Sequence, residues 1–181
     1  MVKLNTVRVL LSLASNLDWP LQQLDIKNAF LNGKLEEEVY MEMPPGFSNG
    51  YQDNQVCKLK RSLYGLKQSP RAWFDRFARV LKNQGYQQGQ SDHTLFFKQA
   101  EGGKKTILIV YVDDIILTGD NEVEIERLKG VLNTEFEVKD LGQMRYFLGM
   151  EVARSKKGIN VSKKICSGPI DRIWYAWMQT K

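Results

Sequence analysis

Cysteine, histidine and long apolar runs are what this chain has least of. Its two cysteines, Cys57 and Cys166, lack metal-ligand spacing and are too few for a disulfide framework, which suits a reducing compartment. The one histidine, His93, is read as a turn or surface contact and given no chemical role. There is no run of about 18 apolar residues to cross a membrane. The N-terminus "MVKLNTVRVLLSLASNLDWP" carries polar residues throughout and no cleavage site, so a soluble, intracellular protein is expected. Repeats, linkers and low-complexity segments are also missing. "EGGKK" fails as a phosphate loop because its flanks read as strands and no Ser or Thr follows the lysines.

A chain of 181 residues with ordinary apolar and charged content is expected to fold as one globular body. The net charge of +5 is modest, but it is unevenly spread. Between Lys58 and Lys82 eight Lys or Arg face Asp75 alone, interleaved with Tyr64, Trp73, Phe74 and Phe77, which marks a candidate nucleic-acid surface. Glu36, Glu37 and Glu38 read as a solvated face.

Leu10, Leu13, Ala14 and Leu17 recur at helical spacing, so a helix is expected over about 6–17, capped by Asn5 or Thr6 and ended by Pro20. Leu21 to Ile26 reads as a strand with Asp25 at its end. The segment "EEEVYMEMPPGFSNG" reads mainly as irregular loop. Pro70 suits the first turn of a helix behind Ser69, with Trp73, Phe77, Val80 and Leu81 on one face. "TLFFKQAEGGKKTILIVYV" reads as two strands joined at Gly102-Gly103, and "DD" before "IILTGD" as a second tight reversal, giving an antiparallel meander. Asn121 and Glu124 form a capping-box pattern opening a helix to about Glu135. "MRYFLGMEVARSKKGINVS" reads as a closing hairpin turning at Lys156 to Gly158. Lys156, Lys157, Lys163 and Lys164 suit either nucleic acid or a soluble edge.

The adjacent carboxylates Asp113 and Asp114 interrupt the apolar run "ILIVYVDDIILTGD". Neighbouring side chains in a regular strand point to opposite faces, so a packed strand would bury at least one of these charges without a partner. The chain must therefore turn there. At a hairpin tip both carboxylates can approach one locus, where a divalent cation makes their repulsion tolerable. From the dipeptide alone, a solvated hairpin turn with no chemistry is the expected reading. Asp25, at another strand end, would complete an oxygen cage for two metals about 3.5 to 4 Å apart, which suits phosphoryl transfer.

Five blocks, "LQQLDIKNAFLNGKLEEEVYMEMPPGF", "VCKLKRSLYGLKQSPRAWF", "SDHTLFFK", "IVYVDDIILTG" and "EFEVKDLGQMRYFLGMEVARSKKGI", resemble the reverse transcriptase of copia-type LTR retrotransposons, in order and spacing, over Val2 to Lys164. The resemblance implies an α/β (α+β) fold: a palm with an antiparallel sheet carrying the catalytic hairpin, packed on helices, with partial fingers and no thumb. It makes Asp25, Asp113 and Asp114 the catalytic, metal-holding carboxylates for two Mg²⁺ ions, or Mn²⁺. Asp25 and Asp113 carry most of the ligation and Asp114 supports them. It places Phe30 beneath the incoming sugar, where a ring would clash with a 2′-hydroxyl, and sets Tyr64, Gly65, Lys67, Ser69 and Pro70 against the nascent pair and template. Tyr111 and Val112 would lie at the primer terminus, and Phe147, Leu148 and Gly149 in the hairpin that grips the primer. Read alone, Phe30 is an ordinary core aromatic, "YGLKQSP" a loop entering a helix, and "YFLGMEV" an edge hairpin.

The implied partners are an RNA template, a DNA primer, dNTP and other domains of the retrotransposon polyprotein, with no membrane. For a chain that is part of an active element the implied location is the cytoplasm, in a virus-like particle; otherwise none is implied beyond intracellular. The chain begins near the helix before the first motif, without the basic upstream fingers that hold the triphosphate, so weak or absent activity is expected of it alone. A non-catalytic nucleic-acid-binding remnant and an inert decayed reading frame are the alternatives. The domain is expected over 1–164. From 165 to 181 the tail "ICSGPIDRIWYAWMQTK" departs from the family. Back-translated with chosen synonymous codons and read one base later, it yields YVLDLLTEFGMLGCKP, which resembles the family's continuation and points to out-of-frame translation.

Overall fold

The computed structural model describes residues 3–44, 46, 56–155 and 158–163. They fall into two compact units, Met1–Gln143 and Met144–Lys181, where the composition leads one to expect a single body. Lys156, Lys157, Lys164 and the tail from Ile165 lie outside the described residues.

In the first unit, helix α1 spans Leu4–Asn16 and starts before the expected caps. Its N-cap, Lys3, makes no side-chain cap bond. Asp92, 89 residues away, acts in its place, its Oδ2 accepting from the Lys3 N–H at 3.0 Å. Burial works to raise the Asp92 carboxyl, but hydrogen bonds from Thr94, Thr6 and Lys3 hold it below the usual carboxylate range. The buried stripe of α1 is Val7, Leu10, Leu11 and Ala14, an i, i+3, i+4, i+7 set, whereas Leu13 and Leu17 are exposed. The expected stripe is therefore displaced around the helix: Leu10 and Ala14 belong to the buried face, which Val7 and Leu11 complete in place of Leu13 and Leu17. Asp18, at φ 54, ends the helical path just before Pro20.

Strand β1 occupies Leu21–Ile26, as the sequence reads, and a short 3-10 helix follows at Ala29–Asn32. The expected loop beyond it is partly ordered, since β2 (Tyr40–Glu42) pairs antiparallel with β3 (Val56–Lys58). Helix α2 covers Ser69–Asn83 with Pro70 in its first turn, where a missing N–H costs nothing. Then come β4 (Gln87–Gln88), β5 (Leu95–Gln99), β6 (Lys105–Tyr111), β7 (Asp114–Gly119), helix α3 (Glu122–Glu135) and β8 (Val138–Gln143). The Asn121 side chain accepts from the Glu124 N–H at 3.2 Å, which is half of the expected capping box. The Glu124 carboxylate turns elsewhere, to Arg127, Lys98 and Tyr86.

The main sheet has the order β4-β5-β6-β7-β1-β8, antiparallel throughout. One face is covered by Trp73, Phe77 and Leu81 of α2 and Ile125, Leu128 and Leu132 of α3, packed on Leu24, Ile26, Phe96, Leu108, Val110, Ile115 and Leu117. Each such side chain contributes about 1.5–3 kcal/mol on burial. Strand β7 is buried from Ile115 through Gly119, so the sheet is covered on both faces there, and its sequence runs apolar instead of alternating.

In the second unit β9 (Tyr146–Phe147), β10 (Met150–Ser155) and β11 (Gly158–Lys163) form a sheet of order β11-β10-β9. Gly158 is a strand residue paired with Ser155. Leu148 (φ 52) and Gly149 (φ 72) join the paired Phe147 and Met150 with two left-handed residues, the pattern of a type I′ turn.

Candidate active site

Asp25 and Asp114 are direct partners across β1 and β7, and Tyr111 pairs with Asp114 across β6 and β7. Val112 and Asp113 make the intervening two-residue turn. By strand alternation Asp25 and Asp114 lie on the face opposite Leu24 and Ile26, away from α2 and α3. The Ile26 N–H donates to the Asp113 carbonyl at 2.9 Å, which ties the turn to the end of β1. All three carboxylates thus stand at one end of the sheet.

The turn is strained. Val112 has φ 56, alone positive within the loop, at a position where glycine is usual. A β-branched residue there is an outlier, and such a conformation costs about 1–3 kcal/mol and persists only where its surroundings impose it. The buried Trp73 of α2 supplies one constraint, its Nε1–H donating to the Val112 carbonyl at 2.7 Å. The mostly buried Gln23 supplies a second, its Nε2–H donating to Asp114 Oδ1 at 2.9 Å. Sequence reasoning missed both residues. Gln23 alternates with Asp25 on one strand face, which is a legible signal; the reach of Trp73 from a helix is not.

Burial and the field of Asp25 push the Asp113 carboxyl above its ordinary value. Burial and the fields of Asp113 and Asp25 push Asp114 up too, with Gln23 acting against them. Lys27, the nearest cation in sequence to Asp25, is paired with Glu137. Among the described residues no ion pair reaches any of the three aspartates. Hard oxygen donors that form no ion pair among the described residues fit a divalent cation by their chemistry. Their oxygens do not converge as they stand: among the described residues no three His, Cys, Asp or Glu are grouped closely enough to hold a metal.

Phe30 lies in the 3-10 helix, half-buried, with its ring 4.8 Å from that of Tyr64. The structure therefore brings these two expected nucleotide-site aromatics together. Gly65 takes φ 91 in the loop before α2, and Lys67 and Pro70 are exposed. Ser69 is fully buried, donating to the Leu63 carbonyl at 2.6 Å, so it shapes this loop from beneath. Gly33 packs the 3-10 helix close to α2, since a Cβ there would sit 2.5 Å from Ser62 Oγ and 2.9 Å from the Trp73 backbone nitrogen. Tyr111 is half-buried and Val112 exposed at the hairpin tip. Phe147 is buried, and with Leu148 and Gly149 it belongs to the second unit.

The basic run is less uniform than its sequence. Arg76 is occupied, donating to the Asn32 and Glu135 carbonyls and lying 5.1 Å from the Phe136 ring centre. Lys58 pairs with Glu38, and Arg71 stands 3.8 Å from Asp75. Lys60, Arg61, Lys67, Arg79 and Lys82 remain exposed. A cleft of about 630 Å³ opens at the opposite end of the sheet, lined by Leu13, Leu17, Trp19, Lys105 and Gly119, and the carboxylates take no part in it. No helix among the described residues is long and apolar enough to cross a membrane.

Residues 1–170 match the family model described as reverse transcriptase (RNA-dependent DNA polymerase). The chain is 45% identical over 155 residues to the retrovirus-related Pol polyprotein from transposon TNT 1-94 of Nicotiana tabacum, covering 86% of this chain and 12% of that protein. It is 40% identical over 163 residues to the retrovirus-related Pol polyprotein from transposon RE1 of Arabidopsis thaliana, covering 90% of this chain and 11% of that one. The putative transposon Ty5-1 protein of Saccharomyces cerevisiae is 33% identical over 135 residues, 75% of this chain and 44% of its own length. The chain thus spans about an eighth or less of the two plant polyproteins.

Proposed function

The chain belongs to the reverse transcriptase (RNA-dependent DNA polymerase) family, as carried in copia-type Pol polyproteins, and on that premise we propose that it is the polymerase palm and that its carboxylate hairpin serves DNA synthesis on an RNA template. The observation that supports this most is the Asp25–Asp114 pairing beside the Val112–Asp113 turn, which brings three carboxylates to one end of the sheet with, among the described residues, no ion pair to any of them.

Asp25 and Asp113 would hold two Mg²⁺ ions, or Mn²⁺, with Asp114 supporting them and Gln23 orienting Asp114. When bound, such ions lower the pKa of the primer 3′-hydroxyl and steady the departing pyrophosphate. The chain's own residues position the reactants. Phe30, backed by Tyr64, sits under the sugar and excludes a 2′-hydroxyl. Gly65, Lys67 and Pro70 face the nascent pair and template, on a loop that Ser69 holds in shape. Tyr111 and Val112 meet the primer terminus, and the turn formed by Phe147, Leu148 and Gly149 grips the primer. Lys60, Arg61, Arg79 and Lys82 neutralise backbone phosphates.

The test is extension of a DNA primer on an RNA template with dNTPs and Mn²⁺, compared with Asp113→Asn. Extension that the substitution abolishes is the expected result, and extension that survives it refutes the carboxylate assignment. Salt-sensitive template binding with no extension favours a nucleic-acid-binding role instead.

A further inference from the structure

We propose that Trp73 is a positioning residue for the carboxylate hairpin: its indole N–H holds the Val112 peptide in the left-handed conformation that presents Asp113 and Asp114. This rests on the reading of the hairpin as a metal-holding site.

The hairpin has an unsuitable residue at its tightest point. Val112 lacks glycine's freedom at φ 56, and a valine in that well persists only where the surroundings over-determine it. Its carbonyl oxygen receives the Trp73 Nε1–H at 2.7 Å, a short bond for a neutral N–H donor. Trp73 is itself held rigidly. It is 2% exposed, its ring lies 5.4 Å from Phe77 and edge-on to Phe136 at 5.1 Å, and Phe136 is in turn covered by the Arg76 guanidinium. The helix backbone at Trp73 abuts Gly33, which fixes the point from which the indole extends. A donor fixed by a packed aromatic cluster thus reaches through the sheet end to the one peptide that needs restraint. The two residues following that peptide in the chain are the carboxylates.

Trp73 is distinguished from an ordinary core aromatic by where the loss appears and by what repairs it. Placing at position 73 the tryptophan analogue in which sulfur replaces the indole N–H keeps the ring's shape and removes only the donor. Mn²⁺ affinity, read by electron paramagnetic resonance, is expected to fall about tenfold, as for loss of an outer-shell partner of a metal site. Adding Val112→Gly, which adopts positive φ without strain, is expected to restore it to within about threefold. Trp73→Phe serves as a second variant, its loss of melting temperature being the same with or without Val112→Gly while only the Mn²⁺ effect is rescued. An unchanged Mn²⁺ affinity in the sulfur analogue, or a loss that Val112→Gly leaves undiminished, overturns the proposal. Asp113→Asn separates this from the reading beneath it. If that variant binds Mn²⁺ as the wild type does, the metal site and the proposal fall together; if it loses Mn²⁺ while the sulfur analogue does not, only the role of Trp73 falls.

Discussion

Glu124→Gln removes the carboxylate on which a polar cluster between α2, β5 and α3 depends. Glu124 is 12% exposed and accepts from Tyr86 at 3.1 Å, Lys98 at 3.1 Å and Arg127 at 2.8 Å from both its Nε and Nη2. Arg127 also donates to Gln84 Oε1 at 2.7 Å, and Lys98 lies 5.6 Å from the Tyr86 ring centre. Hydrogen bonding from Arg127 is the chief cause that holds the Glu124 carboxyl down to about 2, against an ordinary 4.5, with Lys98 adding to it and burial opposing. That difference corresponds to roughly 3 kcal/mol, at about 1.4 kcal/mol per pH unit. Arg127 is 41% exposed, so solvent screening reduces the expected loss to roughly 2 kcal/mol. For a chain of this size that lowers the melting temperature by about 4–8 °C. A depressed carboxyl contributes its full stabilisation above its unfolded value and loses it as pH falls to the folded one. The gap between wild type and variant, followed by circular dichroism, should therefore be full at pH 7 and close between 4.5 and about 2. A gap that is absent at neutral pH, or equally large at both ends of that window, refutes the reasoning.

Asp113→Asn should stabilise the fold. Burial and the Asp25 field raise the Asp113 carboxyl, so its ionised form opposes folding above the raised value and ceases to do so as pH falls below the ordinary 3.8. Removing that charge is expected to add about 1 kcal/mol, or about 2–4 °C, at pH 7 and nothing at pH 3; a variant that melts lower at pH 7 contradicts it. Asp92→Ala uncaps α1 from a distance and should cost about 1–2 kcal/mol, with faster amide exchange at Thr6 and Val7; unchanged protection there would argue against the cap. Gly33→Ala drives a methyl group to within 2.5 Å of Ser62 Oγ and 2.9 Å of the Trp73 backbone nitrogen. It should cost about 1–3 kcal/mol in thermal unfolding, and a neutral result would mean that the 3-10 helix shifts freely.

The parts that were legible in the sequence are those fixed by local chemistry. Strand β1 falls where its sequence reads, the Gly102-Gly103 reversal takes φ 88 and 83 as glycines allow, and Pro70 opens α2. The hairpin at Asp113 is legible only through the cost of burying adjacent charges, since Val112, at φ 56, is the opposite of a turn signal. What was not legible depends on distance or lacks a pattern. The Asp92 cap acts across 89 residues, and no local rule connects it to Lys3. Strand β8 is exposed along nearly its whole length, so it has no buried face to create an alternation. On α1 two overlapping apolar stripes share Leu10 and Ala14, and only tertiary packing selects the one with Val7 and Leu11 over the one with Leu13 and Leu17. At the site itself, Asp25 was legible as a strand-end carboxylate, whereas Asp113 and Asp114, both expected on the hairpin tip, divide between the Val112–Asp113 turn and the first position of β7, and the restraint of the hairpin by Gln23 and Trp73 is tertiary.

The measurement closest to the central claim is Mn²⁺ binding by electron paramagnetic resonance on the wild-type chain, Asp25→Asn and Asp113→Asn. The expected result is binding by the wild type and a loss of at least about tenfold in each variant, since removing a ligating carboxylate should cost no less than removing an outer-shell partner. Equal Mn²⁺ affinity in all three proteins would contradict the assignment of these carboxylates as a polymerase's metal site.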